Sequence, residues 1–167
     1  NSRIIPTKGN NEEVNAFYDK FEEYLKLSQD DAIAEKYDIR PGVGLAANQI
    51  GLDKRMIAVY VVDSKGNEVS YGLVNPVITS YSVQECYLAN GEGCLSVKED
   101  VAGYVYRHNK ITVKAYDVLQ DKEITLKARG FLAIVLQHEI DHLNGLLYVD
   151  HIDKKDPFME KPNAVAI

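Results

Sequence analysis

Three features of the sequence predict an α+β fold of mostly antiparallel strands around one central helix, with an amphipathic helix near the N-terminus. Short runs rich in Val and Ile recur at residues 54–62, 71–78, 111–116 and 123–127, as half-buried strands require. One long, strongly apolar stretch, residues 130–144, has helical periodicity and is surrounded by those runs. Val14, Phe17, Tyr18, Phe21, Tyr24 and Leu25 recur at helical spacing, so residues 12–27 read as a surface helix with an acidic outer face.

The elements follow in order. Residues 1–11 are polar, with Pro6 and Gly9, and form an irregular arm. After the first helix, residues 28–40 are polar, with a short helix expected around 32–36, and end at Pro41. The strand at 54–62 leads through a turn at 64–67 to a second extended run at 71–78, broken at Pro76 because proline removes a ladder donor. Further strands are expected at 83–88 and 104–106, and from 111–116 and 123–127 with a turn near Gln120 and Asp121. Gly145 closes the helix of residues 130–144 as a C-terminal cap. The tail from Leu146 adds a short strand and then runs polar around 153–157.

With 167 residues and neither repeat nor low-complexity linker, residues 1–167 read as a single domain. The net charge of −6 excludes a broad nucleic-acid-binding face, though not a local basic patch. No apolar run approaches the ~20 residues of a membrane span, and the first residues lack a secretory pattern. Two cysteines, Cys86 and Cys94, are too few for a disulfide scaffold, so both are expected reduced unless one serves as a metal thiolate. His108 and His151 read as surface or hydrogen-bonding histidines.

The chemistry lies in Gln137-His138-Glu139-Ile140-Asp141-His142. Histidines four positions apart on a helix lie one turn above one another, so His138 and His142 can reach one metal ion. Glu139 points off that line, where it can act as a base. A hydrolytic site of this kind uses three protein ligands and leaves one position for water. Downstream candidates for the third ligand are Asp150, His151 and Asp153, and Cys94 is an upstream one; spacing does not choose among them.

Three segments together resemble the peptide deformylase family. Gly42-Val43-Gly44-Leu45-Ala46-Ala47-Asn48-Gln49 is similar to its first motif, Glu92-Gly93-Cys94-Leu95-Ser96 to its second, and Gln137–His142 to its third, in the family's order and separation. The long segment before Pro41 and the non-helical tail resemble the type 2 branch. Two departures stand out: residues 1–11 match no family stretch, and position 48 is Asn where the family often has Pro.

The resemblance implies Cys94, His138 and His142 as ligands of one divalent ion. That ion is natively Fe(II), although the donor set also suits Zn, Ni or Co. It implies a hydrolase that removes the N-terminal formyl group from N-formyl-methionyl nascent peptides and releases formate. It further implies that a bound ion would activate the attacking water, with Glu139 as general base and acid and with Gln49 and the Leu95 N–H holding the oxyanion. Val43, Gly44 and Gly93 flank the site and are expected to pair with an extended substrate, while Ile134 and Val135 line the methionine pocket. Glu92 is expected to anchor the Cys94 loop, with Arg107 as partner, and Asp141 to orient an imidazole or form a surface ion pair. The expected enzyme is a bacterial, cytoplasmic monomer with a transient ribosome contact, no membrane association and no stable nucleic-acid complex. A zinc-type peptidase built on the same helix is the alternative enzyme, and a metal-binding module without catalysis is the alternative class.

Overall fold

The computed structural model describes residues 16–21, 23, 44–51, 54–62, 68–89, 91–92 and 102–167. The expected arm at 1–11, the short helix around 32–36 and the turn at 64–67 lie outside the described residues, as do Val43, Gly93, Cys94 and Leu95.

A five-stranded antiparallel sheet forms the frame, in the order β1 (Gly44–Ala46), β2 (Met56–Val62), β3 (Glu68–Tyr81), β6 (Lys110–Asp117) and β7 (Lys122–Arg129). A smaller sheet joins β4 (Glu85–Tyr87) antiparallel to β5 (Arg107–His108) and parallel to β8 (Val165–Ala166). Residues 16–21 and 23 are helical and make up α1. The helix α2 (Phe131–Leu143) carries the His-Glu-x-x-His run.

Alternation along β2 explains why two helices pack against one sheet. Ile57 and Val59 face a core shared with Leu73, Val113, Leu136, Ile140 and Leu143. Met56 and Ala58 face the other side, where Phe17, Tyr18 and Phe21 of α1 pack with Leu45 and Val74. Tyr18 also passes through its layer to donate its hydroxyl to the carbonyls of Ile57 and Leu73, at 3.0 and 3.3 Å. Gly72 makes room for that ring, since a Cβ there would lie 2.9 Å from Tyr18.

The sequence expectation fails in three places. β3 does not break at Pro76: the ladder with β6 shifts register between Val74 and Val77, so Pro76 sits in a bulge where no donor is required. Asn75 absorbs the kink at φ 53° and donates its N–H to the Arg55 carbonyl. Residues 104–106 are not a strand; Tyr104 instead donates its N–H to the Pro157 carbonyl, and pairing begins at Arg107. The strand expected just after Leu146 is a 3₁₀ turn, Tyr148–His151, and the tail's strand is β8, near the end of the chain.

α2 has the expected limits. Gly130 enters it at φ 61°, and Gly145 leaves it at φ 79°, a left-handed conformation that glycine adopts at no steric cost. No helix among the described residues is long and apolar enough to cross a membrane.

Candidate metal centre

One turn of α2 separates His138 from His142, and their Nε2 atoms stand 3.2 Å apart. The Glu139 carboxylate is buried, and its oxygen lies within 4.8 Å of donor atoms on both rings. Glu92 fixes the His138 ring from behind: Nδ1 donates to Glu92 Oε1 at 2.8 Å. A carboxylate only accepts, so the Nδ1 tautomer is set and the Nε2 lone pair faces His142.

Glu92 is itself gripped by Arg107, whose Nε donates to Oε2 at 2.8 Å and Nη2 to Oε1 at 3.0 Å. Both side chains are only 3% exposed. The other arm of the guanidinium donates to Asp141 Oδ2 at 2.9 Å, and His151 Nε2 meets the same oxygen at 2.8 Å. Burial alone would push the Glu92 and Asp141 carboxyls up; their hydrogen bonds and the Arg107 charge outweigh it and hold both below the ordinary carboxylate range. The same bonds hold the Arg107 guanidinium above its usual value despite burial. The chain of contacts therefore runs from His151 through Asp141, Arg107 and Glu92 to His138.

Three elements hold α2 against the sheet at this point. Asn48, in the 3₁₀ turn Ala47–Ile50 that follows β1, donates its side-chain N–H to the His142 carbonyl. Arg55 Nη1 reaches the Leu143 carbonyl at 3.4 Å and Asn144 Oδ1 at 3.2 Å, so carbonyls at the helix end, which lack intrahelical donors, are satisfied. Gln137 accepts the His108 N–H and donates to the His108 carbonyl, at 3.0 and 2.8 Å, pinning α2 to β5.

Gln49 Oε1 accepts the Ala46 N–H at 2.8 Å, which makes Nε2 the donating end of that amide. In an antiparallel pair, alternate residues direct their backbone groups outward. With the Ala46 N–H turned away from β2, the N–H and C=O of Gly44 also face the outer edge of the sheet, and β1 is the edge strand among the described residues. A Cβ on Gly44 would lie 2.8 Å from Glu139 Cγ and 2.9 Å from its Oε1. Glycine at this position thus makes room for Glu139, a reason the sequence did not reveal.

Ile134, one turn before His138, is buried; Val135 is buried in the core between α2 and the sheet. The downstream ligand candidates have other tasks. Asp150 accepts the Leu147 N–H, Asp153 accepts the N–H groups of Lys155 and Asp156, and His151 pairs with Asp141. Asp141 thus meets Arg107 and His151 rather than a ring of the His138–His142 pair, and the expected Glu92–Arg107 pairing is present. Asn48 and its bond to α2 escaped the sequence reading, because a lone polar residue in a loop carries no signal of its distant partner.

The donor set fits a divalent ion. Two imidazole nitrogens 3.2 Å apart match the edge of a tetrahedron with ~2.0–2.1 Å bonds, about 3.4 Å. A buried carboxylate beside two histidines on a helix, under an antiparallel sheet, defines a metal-dependent hydrolase of the His-Glu-x-x-His type.

The sequence and fold comparisons narrow that class. The polypeptide deformylase family model matches residues 6–158, and the chain belongs to that family. Peptide deformylase 2 of Geobacillus stearothermophilus is 54% identical over 145 residues, covering 87% of this chain and 78% of that protein. Peptide deformylase 2 of Bacillus subtilis is 55% identical over 145 residues, with the same coverage. Among solved structures, a probable peptide deformylase from Synechococcus phage S-SSM7 superposes with a TM-score of 0.70 at 33% identity, covering 90% of each chain. The activity of the family is metal-dependent removal of the N-formyl group from nascent peptides.

Proposed function

We propose that His138, His142 and Cys94 hold one divalent ion, natively Fe(II), and that Glu139 is the general base and acid for hydrolysis of the formyl group of N-formyl-methionyl peptides. The observation that carries this reading is the facing pair of Nε2 atoms, with the His138 tautomer locked by Glu92 and the Glu139 carboxylate beside both rings. An ion bound there supplies Lewis acidity, making water acidic enough to yield a nucleophile near neutral pH.

Glu139 accepts the proton of the attacking water and delivers it to the amine as the formyl C–N bond breaks, so water and formamide become formate and a free N-terminus. The Gln49 amide and the Leu95 backbone N–H donate to the developing oxyanion; each such donor is worth ~3 kcal/mol of barrier. The outward-facing backbone of Gly44, with Val43 and Gly93, pairs with an extended substrate as an added strand. Ile134 forms the apolar wall for the methionine side chain, with Val135 supporting it from the core.

We place this enzyme in a bacterial cytoplasm as a monomer that meets the ribosome transiently. The test is anaerobic incubation with formyl-Met-Ala-Ser: formate must appear with no new peptide fragment, whereas internal cleavage indicates a peptidase.

A further inference from the structure

We propose, on the reading of His138 as a metal ligand, that His151 is a positioning residue for the metal centre. It fixes Asp141, and through the planar guanidinium of Arg107 it fixes the orientation of Glu92 and of the His138 ring.

The rigid part of this path is Arg107. Its donors lie in one plane in a fixed fork, and that plane is held at both ends. Nε and Nη2 donate to the two oxygens of Glu92, at 2.8 and 3.0 Å, while Nη1 donates to Asp141 Oδ2 at 2.9 Å. A turn of the guanidinium therefore displaces both Glu92 bonds together. Glu92 Oε1 is the atom that accepts the His138 Nδ1–H, at 2.8 Å. The Glu92 side chain is only 3% exposed, so solvent does not readily replace a donor that it loses.

The looser end is Asp141, whose side chain is 21% exposed. Solvent alone on that side would leave its carboxylate free to rotate away from Arg107. His151 Nε2 stands there, 2.8 Å from the same Oδ2. A carboxylate only accepts, so Nε2 carries the proton and Oδ2 receives Arg107 and His151 at once.

His151 serves as a fixed point because its turn is anchored without it. In the 3₁₀ turn Tyr148–His151, Tyr148 is buried and packs with Val105 and Ile152. Asp150 closes the turn: it accepts the Leu147 N–H at 2.8 Å and donates its own N–H to the Leu147 carbonyl at 3.0 Å. The Tyr148 ring lies nearly parallel to that of His138, with 18° between planes and 6.3 Å between centroids. One turn thus faces the His138 ring through Tyr148 and steers its Nδ1 edge through the path that starts at His151.

The test is the zinc affinity of the full chain, measured by competition with a chromophoric chelator, beside thermal melts. Losing a direct partner of a ligand typically costs about 10–100-fold in metal affinity, so the more distant His151→Ala should weaken zinc binding about fivefold. Its melting temperature without metal should stay within about 2 °C of wild type. His151→Gln, whose amide N–H reaches toward the same oxygen, should bind zinc within about twofold of wild type. In an Arg107→Lys background, which lacks the planar fork, His151→Ala should change affinity less than about twofold. Asp141→Asn replaces Arg107→Lys if circular dichroism shows that variant unfolded. Zinc binding by His151→Ala within about twofold of wild type overturns the proposal. So does failure of His151→Gln to recover affinity, or an undiminished loss in the Arg107→Lys background, which would mark an effect of charge or of the turn itself. His138→Ala separates the two levels. If it binds zinc as tightly as wild type, the ligand reading fails and the role of His151 with it; if it does not, a silent His151→Ala removes the role of His151 alone.

Discussion

Gly44 and Glu139 are in such close contact that the smallest side chain at position 44 would stand 2.8 Å from Glu139 Cγ. The proposed base and strand β1 are thus mutually placed, with the strand's backbone against the carboxylate. Gly44→Ala should displace Glu139 by a fraction of an ångström to an ångström and lower kcat by about 10²-fold, the usual consequence of such a shift in a reacting group. The fold should persist, because the contact is with a side chain. Steady-state formate release beside a thermal melt checks this, and an unchanged kcat would mean that Glu139 accommodates the methyl without loss.

Arg107 holds two carboxylates, the buried Glu92 and the partly exposed Asp141. Removing one member of a buried ion network leaves uncompensated charge, so Arg107→Met should cost about 3–5 kcal/mol in urea unfolding. With Glu92 no longer oriented, metal affinity should fall about 10–100-fold. Arg107→Lys keeps the charge but not the fork, and should recover only part of either loss. Metal titration of both variants against wild type is the check.

Asn48 contributes a single side-chain bond to the helix carrying the histidines. Asn48→Ala should lower stability by about 1 kcal/mol and leave kcat within a factor of a few, as measured by denaturant midpoint and formate assay.

Cys86 is buried on β4, and desolvation, helped by Glu92 and Glu85 and opposed by Arg107, pushes its thiol up to about 11. It should stay unmodified by iodoacetamide at about pH 8 in the folded protein and react after unfolding, because the thiolate is the nucleophile; peptide mapping separates it from Cys94. The sign for stability follows. The unfolded chain releases this proton near 9.0 and the folded chain near 11, so this contribution is intact below the first value and is lost as pH rises between the two.

What the sequence disclosed, and what it did not, divides by range. α2, its glycine ends and the three-residue set His138, Glu139 and His142 are periodic or contiguous in sequence, and they are where the spacing put them. The Glu92–Arg107 pair was within reach because opposite charges flanked a recognisable motif. The bulge that carries β3 through Pro76, the β4–β8 pairing, the Asn48 bond and the Gly44–Glu139 contact all depend on partners far away in the chain. Tyr104–Tyr106 misled for a related reason. Tyrosines favour strands, yet these pack in an aromatic cluster with Tyr87, and Tyr104 also meets Phe158.

On the proposed reading, deformylation depends on an ion held by the two α2 histidines. Formate release from formyl-Met-Ala-Ser, followed as a function of divalent metal bound per chain in anaerobically prepared wild-type and His138→Ala protein, tests it most directly. Activity should be proportional to occupancy up to one ion in the wild type, with neither tight metal binding nor formate from the variant. Full turnover by wild-type protein stripped of metal, or by His138→Ala, would contradict it.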